Sequence, residues 1–167
     1  EWLKEKNLDA AVISALDSIA WLLNIRGSDI DRTPVTLAFA IANTDGTADL
    51  YIAEAKVTPE LRQHLGNSVR ILPDTEFVPA LEALSKKRVA VDPESSVTAI
   101  FSILENSGAE VVEESDPTSL PRAQKNPVEQ AGHRSAQVQE ARHRSAVLDL
   151  CGPVPCLFDR IRFPAAA

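Results

Sequence analysis

Thr36-Leu37-Ala38-Phe39-Ala40-Ile41-Ala42, then Asn43-Thr44-Asp45-Gly46, then Ala48-Asp49-Leu50-Tyr51-Ile52-Ala53-Glu54 reads as two apolar runs around a turn. The first run has the composition of a buried strand. Asp-Gly supplies the positive φ that a tight turn requires, so the second run is expected to return beside the first as an antiparallel hairpin. A hairpin forces at least one antiparallel pair, so the sheet that contains it is expected to be mixed.

Outward from the hairpin, strands alternate with helices. Glu1 to Asn7 reads as a helix end with Trp2 and Leu3 on its apolar side, and Leu8 to Ser14 as a short strand. Asp17 or Ser18 is expected to cap a helix through Ile25. Arg26-Gly27-Ser28-Asp29 is expected to stop it, with Gly27 in the left-handed C-terminal position. Beyond the hairpin, Thr58-Pro59-Glu60 opens a short helix with a cap, an early proline and an early acid. Val69 to Leu72 is a brief strand. Asp74 to Ser85 is a helix with Phe77, Leu81 and Leu84 on one face, and Arg88 to Asp92 is another strand. Ser95 or Ser96 caps a helix carrying Val97, Ile100, Phe101 and Leu104, which closes at Ser107-Gly108. Glu110 to Glu113 is a last strand, Ser115 to Gln124 with Pro117 and Pro121 a loop, and a polar helix runs from Pro127 to about Leu150. The expected fold class is α/β, a mixed β-sheet flanked by helices.

The 167 residues carry a formal charge of -7, with 44% hydrophobic and 25% charged residues, which suits one soluble domain with an appendage. That acidity argues against nucleic acid, because phosphate binding needs a basic patch. No apolar run approaches the ~20 residues that cross a bilayer, so no membrane partner is expected. Cys151 and Cys156 both fall in the last stretch, which leaves the rest without disulfides and fits a reducing cytoplasm. Their spacing lacks the second pair of a zinc site. The chain has no methionine and opens in mid-helix, so it is expected to be a piece of a longer chain.

Asn24, Arg26 and Asp29 sit at the expected helix end. There an Arg and an Asp on a loop could line a substrate mouth, or form a charged turn at a helix C-cap. Asp92-Pro93-Glu94 pairs two carboxylates, but Asp-Pro commonly marks a strand end feeding a helix. Glu110, Glu113, Glu114 and Asp116 read as a solvated acidic face. His133 and His143 lie ten apart, roughly 80° short of three full turns, and so do not converge as metal ligands do. His64 reads as a surface residue. No nucleophile elbow, P-loop or dinucleotide fingerprint occurs, and Cys151 has no basic neighbours to activate it. On these residues alone no catalytic constellation is expected.

Leu16-Asp17-Ser18-Ile19-Ala20-Trp21-Leu22-Leu23-Asn24-Ile25-Arg26-Gly27-Ser28-Asp29, with Pro34 following, resembles the opening of the second domain in three-domain Xaa-Pro aminopeptidases (aminopeptidase P) of the creatinase/prolidase type. The pattern there is Leu-Asp-x-Ile-Ala-Trp-Leu-x-Asn-x-Arg-Gly-x-Asp, then a proline. Lys125, Asn126, Glu129, Gly132, Arg134 and Ala136 resemble the junction at which those enzymes enter their catalytic domain. Gln137 stands where that junction has His, and Glu140 near where it has Asp. The likeness fades from Ala141.

The resemblance implies a creatinase N-terminal domain with a ribonuclease H-like layout over residues 1–124. A linker and the start of a catalytic domain's first helix would occupy 125–147, and an atypical tail 148–167. It implies a non-catalytic domain of an enzyme that removes an N-terminal residue preceding proline, with the domain roofing the active site and aiding homodimer contacts. The cofactors implied for that parent enzyme are two divalent metals, usually manganese, held by Asp, Asp, His, Glu and Glu in a catalytic domain beyond this stretch. The partners implied are that catalytic domain and short peptides with proline second, in the cytoplasm. Asn24, Arg26 and Asp29 are its substrate-lip candidates. The alternative is a stand-alone binding or oligomerisation module of the same fold.

Overall fold

The computed structural model describes residues 1–124, 127–128, 130–132 and 134–135. Glu1–Ala123 forms one compact unit. In chain order its elements are α1 (Trp2–Glu5), β1 (Ala10–Ile13), α2 (Leu16–Leu22), β2 (Ala38–Asn43), β3 (Ala48–Ile52), α3 (Pro59–Leu65), β4 (Val69–Leu72), α4 (Phe77–Glu82), β5 (Arg88–Val91), α5 (Thr98–Ser107), β6 (Glu110–Glu113) and α6 (Ser119–Ala123). Single 3₁₀ turns at Glu54–Lys56 and Asp74–Glu76 precede α3 and α4. The described residues beyond 124 are helical. The expectations for Cys151, Cys156, His133, His143, Gln137, Glu140, most of the Pro127 to Leu150 helix and the tail lie outside the described residues.

The strands form one six-stranded sheet in the order β4-β3-β2-β1-β5-β6. β2 pairs antiparallel with both β1 and β3, while β1–β5, β3–β4 and β5–β6 are parallel. Five strands therefore run one way and β2 alone runs against them. The expected antiparallel hairpin forms, with Ala40 opposite Leu50, and Gly46 takes φ 91 in its turn. The Asp45 carboxylate accepts from the Thr47 amide at 2.9 Å and closes that turn.

Side-chain alternation assigns each strand two faces. Val12, Ile41, Tyr51, Val89 and Val91 pack against Phe77 and Leu81 of α4 and Ile100 and Leu104 of α5, and the Phe39 and Phe77 rings stack at 4.2 Å. On the opposite face Ile13, Ala40, Leu50 and Ile52 meet Ile19 of α2 and Leu65 of α3, while Ala11 and Ala90 meet Trp2 and Leu3 of α1. β1 is buried along its whole length, as a central strand covered on both faces must be. Each fully buried leucine such as Leu81 or Leu104 contributes about 1.5–3 kcal/mol of burial.

Four local expectations need correction. Neither Asp17 nor Ser18 caps α2: both lie inside its first turn, and the N-cap is Ala15, whose side chain has no acceptor, while Ser14 before it turns its hydroxyl across to Ser95 O and Ser96 Oγ. The same contact engages Ser96, so α5 begins after Val97 rather than from a serine cap. Ser115 to Gln124 is not all loop but contains α6. Asp116 Oδ1 accepts from Thr118 N and Thr118 Oγ1, both at 2.7 Å, which turns the chain into the helix. Pro121 is tolerated because it occupies the first turn, where amides have no partner within the helix. The acidic stretch is not a bare solvated face: Glu110 pairs with Arg88, Glu114 with Lys6, and Asp116 is buried.

Candidate functional site

α2 follows directly on β1, and its C-terminal end delivers the loop that carries the candidate residues. Leu23 closes the helix and Asn24 reverses the chain with φ 50. The Ile25 amide reaches back to Ala20 O at 3.0 Å and the Asn24 amide to Trp21 O at 3.3 Å. These two bonds make a Schellman turn, with buried Ile25 packed in the same cluster as Ile19. The left-handed position thus belongs to Asn24, and the expectation for Gly27 is corrected. Gly27 is required for another reason: a Cβ there would lie 2.7 Å from both Thr36 Cβ and Val35 O.

Arg26 is exposed, and its Nη1 donates to Ala20 O at 3.0 Å and Ile25 O at 2.8 Å. A guanidinium at these carbonyls complements the negative end of α2. Its other donors make no hydrogen bond among the described residues. Arg26 and Asp29 do not pair with each other. Asp29 Oδ2 instead accepts from Lys56 Nζ at 2.7 Å, Thr36 Oγ1 at 2.8 Å and Leu37 N at 2.6 Å. Lys56 first, then the Leu37 amide and the Thr36 hydroxyl, pull the Asp29 carboxyl down to about 2. Asp29 is therefore an acceptor committed to bracing the loop. Trp21, Leu22, Ile30 and Leu37 leave exposed apolar side chains on the neighbouring stretches.

The other candidates hold structure. Asp92 Oδ1 accepts from Glu94 N at 2.8 Å, and its Oδ2 accepts from Asp116 N at 2.9 Å, so it fastens the end of β5. His64 is exposed on α3, with Nε2 3.0 Å from Leu23 O. Asp49, which sequence reasoning passed over, is buried on β3 and held by Arg70; an acid inside an otherwise apolar strand was its only signal.

A family model described as "Creatinase/Prolidase N-terminal domain" matches residues 1–129. The chain belongs to the creatinase/prolidase N-terminal domain family. This creatinase N-terminal domain is 41% identical over 146 residues to a protein of Aspergillus clavatus described as "Probable Xaa-Pro aminopeptidase P", covering 83% of the chain and 22% of that protein. A protein of Neosartorya fischeri with the same description is 40% identical over 149 residues, again with 83% and 22% covered. The chain thus spans about a fifth of the length of the curated relatives it matches. Among solved structures, an X-prolyl aminopeptidase from Caenorhabditis elegans, described as a cytosolic enzyme with a di-nuclear active site, superposes with TM-score 0.69 at 29% identity. That match covers 80% of this chain and 23% of the enzyme. The N-terminal domain of a metallopeptidase from Corynebacterium diphtheriae shares the fold, with TM-score 0.51 at 17% identity, covering 68% of this chain and 88% of that one.

A di-nuclear site needs several carboxylate and imidazole donors converging on one point. Among the described residues no three of His, Cys, Asp and Glu are grouped to hold a metal ion. Asp29, Asp49, Asp92 and Asp116 are each engaged by a cation, a hydroxyl or an amide of the domain itself. The described creatinase N-terminal domain does not fit such a centre. No helix among these residues is long and apolar enough to cross a membrane.

Proposed function

We propose that this chain is the non-catalytic N-terminal part of a proline-specific metallo-aminopeptidase, with the Asn24–Asp29 loop as a lip of the substrate cleft. The observation that carries the reading is the state of Arg26. Its guanidinium is anchored through Nη1 on the end of α2, while the other donors stay unbonded among the described residues. An anchored fork on a braced loop suits a peptide carbonyl or carboxylate, and Asn24 beside it adds an exposed amide. In this reading the domain roofs the cleft, restricts it to short peptides with proline second, and aids homodimer contacts. The metals, two divalent ions such as manganese, belong to a catalytic domain beyond the described residues. The description of the Caenorhabditis elegans enzyme as cytosolic and di-nuclear supports both the metals and a cytoplasmic setting.

The test is Arg26→Ala in a full-length peptidase carrying this domain. A binding group remote from the chemistry should raise KM more than it lowers kcat. A collapse of kcat at constant KM would contradict the lip. The 167-residue chain with manganese and an Xaa-Pro peptide is expected to give no turnover above a metal-only control; clear turnover would refute the non-catalytic reading.

A further inference from the structure

α2 has only seven residues, and its two ends have different duties. Its C-terminal end carries the Schellman turn and the Asn24–Asp29 loop. At its N-terminal end Asp17 forms an ion pair with Arg122 Nη1 of α6, while the other oxygen of Asp17 accepts from Ser18 N at 3.0 Å. The Arg122 Nη1 atom is buried and meets Asp17 as an ionic contact, without a hydrogen bond among the described residues, although the Asp17 side chain remains 63% exposed. α6 is the last element of the unit that ends at Ala123.

The approach to α6 is fastened at further points. Asp92 at the end of β5 accepts from the Asp116 amide, and buried Asp116 folds back onto Thr118. The loop after β5 is in turn tied to the β1–α2 junction, with Ser14 Oγ 3.0 Å from Ser95 O and 2.9 Å from Ser96 Oγ. Ser14 and Asp17, then Ser95, Ser96 and Asp92, then Asp116 and Arg122 close a ring over the carboxyl ends of β1, β5 and β6. An ion pair this exposed adds little to stability. What it does geometrically is join α2 to the segment by which the chain leaves the sheet.

We propose that Asp17 and Arg122 are positioning residues: their pair couples α2, and with it the Asn24–Asp29 lip, to the segment leading out of the domain. A seven-residue helix is a stiff rod about 10 Å long, so a tilt at its Asp17 end displaces the loop at its other end. The inference rests on the lip reading above for its effect on substrate, but the coupling itself can be read without any substrate.

The experiment is a double-mutant cycle of Asp17→Asn and Arg122→Gln with two readouts. In the 167-residue chain, amide exchange at Ser119 and Arg122, both bonded into the turn of α6, should quicken in either single variant relative to the amides of α3. In a full-length peptidase carrying this domain, each single variant should raise KM for an Xaa-Pro tripeptide about threefold with kcat within about twofold. The double variant should be no worse than either single one, and Arg122→Lys should recover part of the loss. Unchanged exchange, or KM effects that multiply to about ninefold in the double variant, would overturn the coupling. Unchanged KM in both single variants, with Arg26→Ala still raising it, would also overturn the proposal while leaving the lip reading intact. If exchange shows the coupling but Arg26→Ala leaves KM unchanged, it is the lip reading that fails.

Discussion

Asp29 and Lys56, 27 positions apart, meet at 2.7 Å and tie the loop after α2 to the turn after β3. The same carboxylate oxygen takes the Leu37 amide at the entry to β2 and the Thr36 hydroxyl. One acid thus gathers the loop, β2 and the end of β3. That makes it a keystone of the candidate lip rather than one of its reactive groups.

The first prediction concerns acid. Three donors hold the Asp29 carboxyl at about 2, below its ordinary 3.8. A folded value below the unfolded one means that unfolding takes up a proton between the two. The stabilisation is therefore complete above about pH 4 and is lost as the pH falls towards 2. Melting temperatures of the parent chain should fall more steeply than those of Asp29→Asn between about pH 5 and about pH 2, and the two curves should converge at the acid end. Parallel curves would show that this carboxylate does not brace the loop.

The second prediction is steric. Gly27→Ala places a methyl group 2.7 Å from Val35 O, a backbone atom that cannot step aside as a side-chain end can. The expected loss is about 1–3 kcal/mol by urea unfolding. Gly46→Ala meets open space but must hold φ 91, and is expected to cost about 1 kcal/mol. A Gly27→Ala variant as stable as its parent would mean that residues 27 and 35–36 are not closely apposed.

The third prediction tests which residue turns the chain after α2. Asn24 stands at φ 50, where a β-branched side chain is strained and glycine is not. Asn24→Val should cost about 1–2 kcal/mol and Asn24→Gly should be neutral within about 0.5 kcal/mol. Equal losses in the two variants would argue against a Schellman turn at this position.

The elements that could be read in the sequence are those whose partners are close along the chain. The β2–β3 hairpin was legible because Asp45 and Gly46 specify its turn and both strands flank it. α3 was legible because Thr58 accepts from the Leu61 amide within one turn. The placement of β1 between β2 and β5 depends on pairings far apart in sequence, and no local pattern carries it. At the lip, Asn24, Arg26 and Asp29 could be singled out by residue type. The commitment of Asp29 to Lys56 could not, because it depends on where β3 ends. Gly27 was misread for a physical reason: glycine serves both left-handed turns and close approaches, and sequence alone does not say which. Asn24 followed by apolar Ile25 was the signal for the actual turn. Asp17 with Arg122 and Asp92 with Asp116 were invisible for the same reason as Asp29 with Lys56.

The fourth prediction follows from an asymmetric ion pair. Asp49 on β3 has a side chain only 7% exposed, whereas its partner Arg70 on edge strand β4 is 68% exposed. Arg70 Nε and Nη2 donate to the two carboxylate oxygens at 2.6 Å each, a bidentate fork. Removing the arginine leaves an acid stranded on the face that carries Ile41 and Tyr51. Removing the acid leaves a guanidinium that water already reaches. Arg70→Ala is therefore expected to cost about 1–3 kcal/mol, and Asp49→Leu less than about 1 kcal/mol, since an apolar side chain can replace a buried ion-pair member with little loss. The edge position sharpens the contrast. Arg70 is also the one charged residue of edge strand β4, and charge on an edge disfavours pairing with another chain, so Arg70→Ala should raise the tendency to associate at high concentration, measured by light scattering, while Asp49→Leu should not. The reverse order of stabilities would mean that the carboxylate, and not its loss of a partner, carries the energy of the pair.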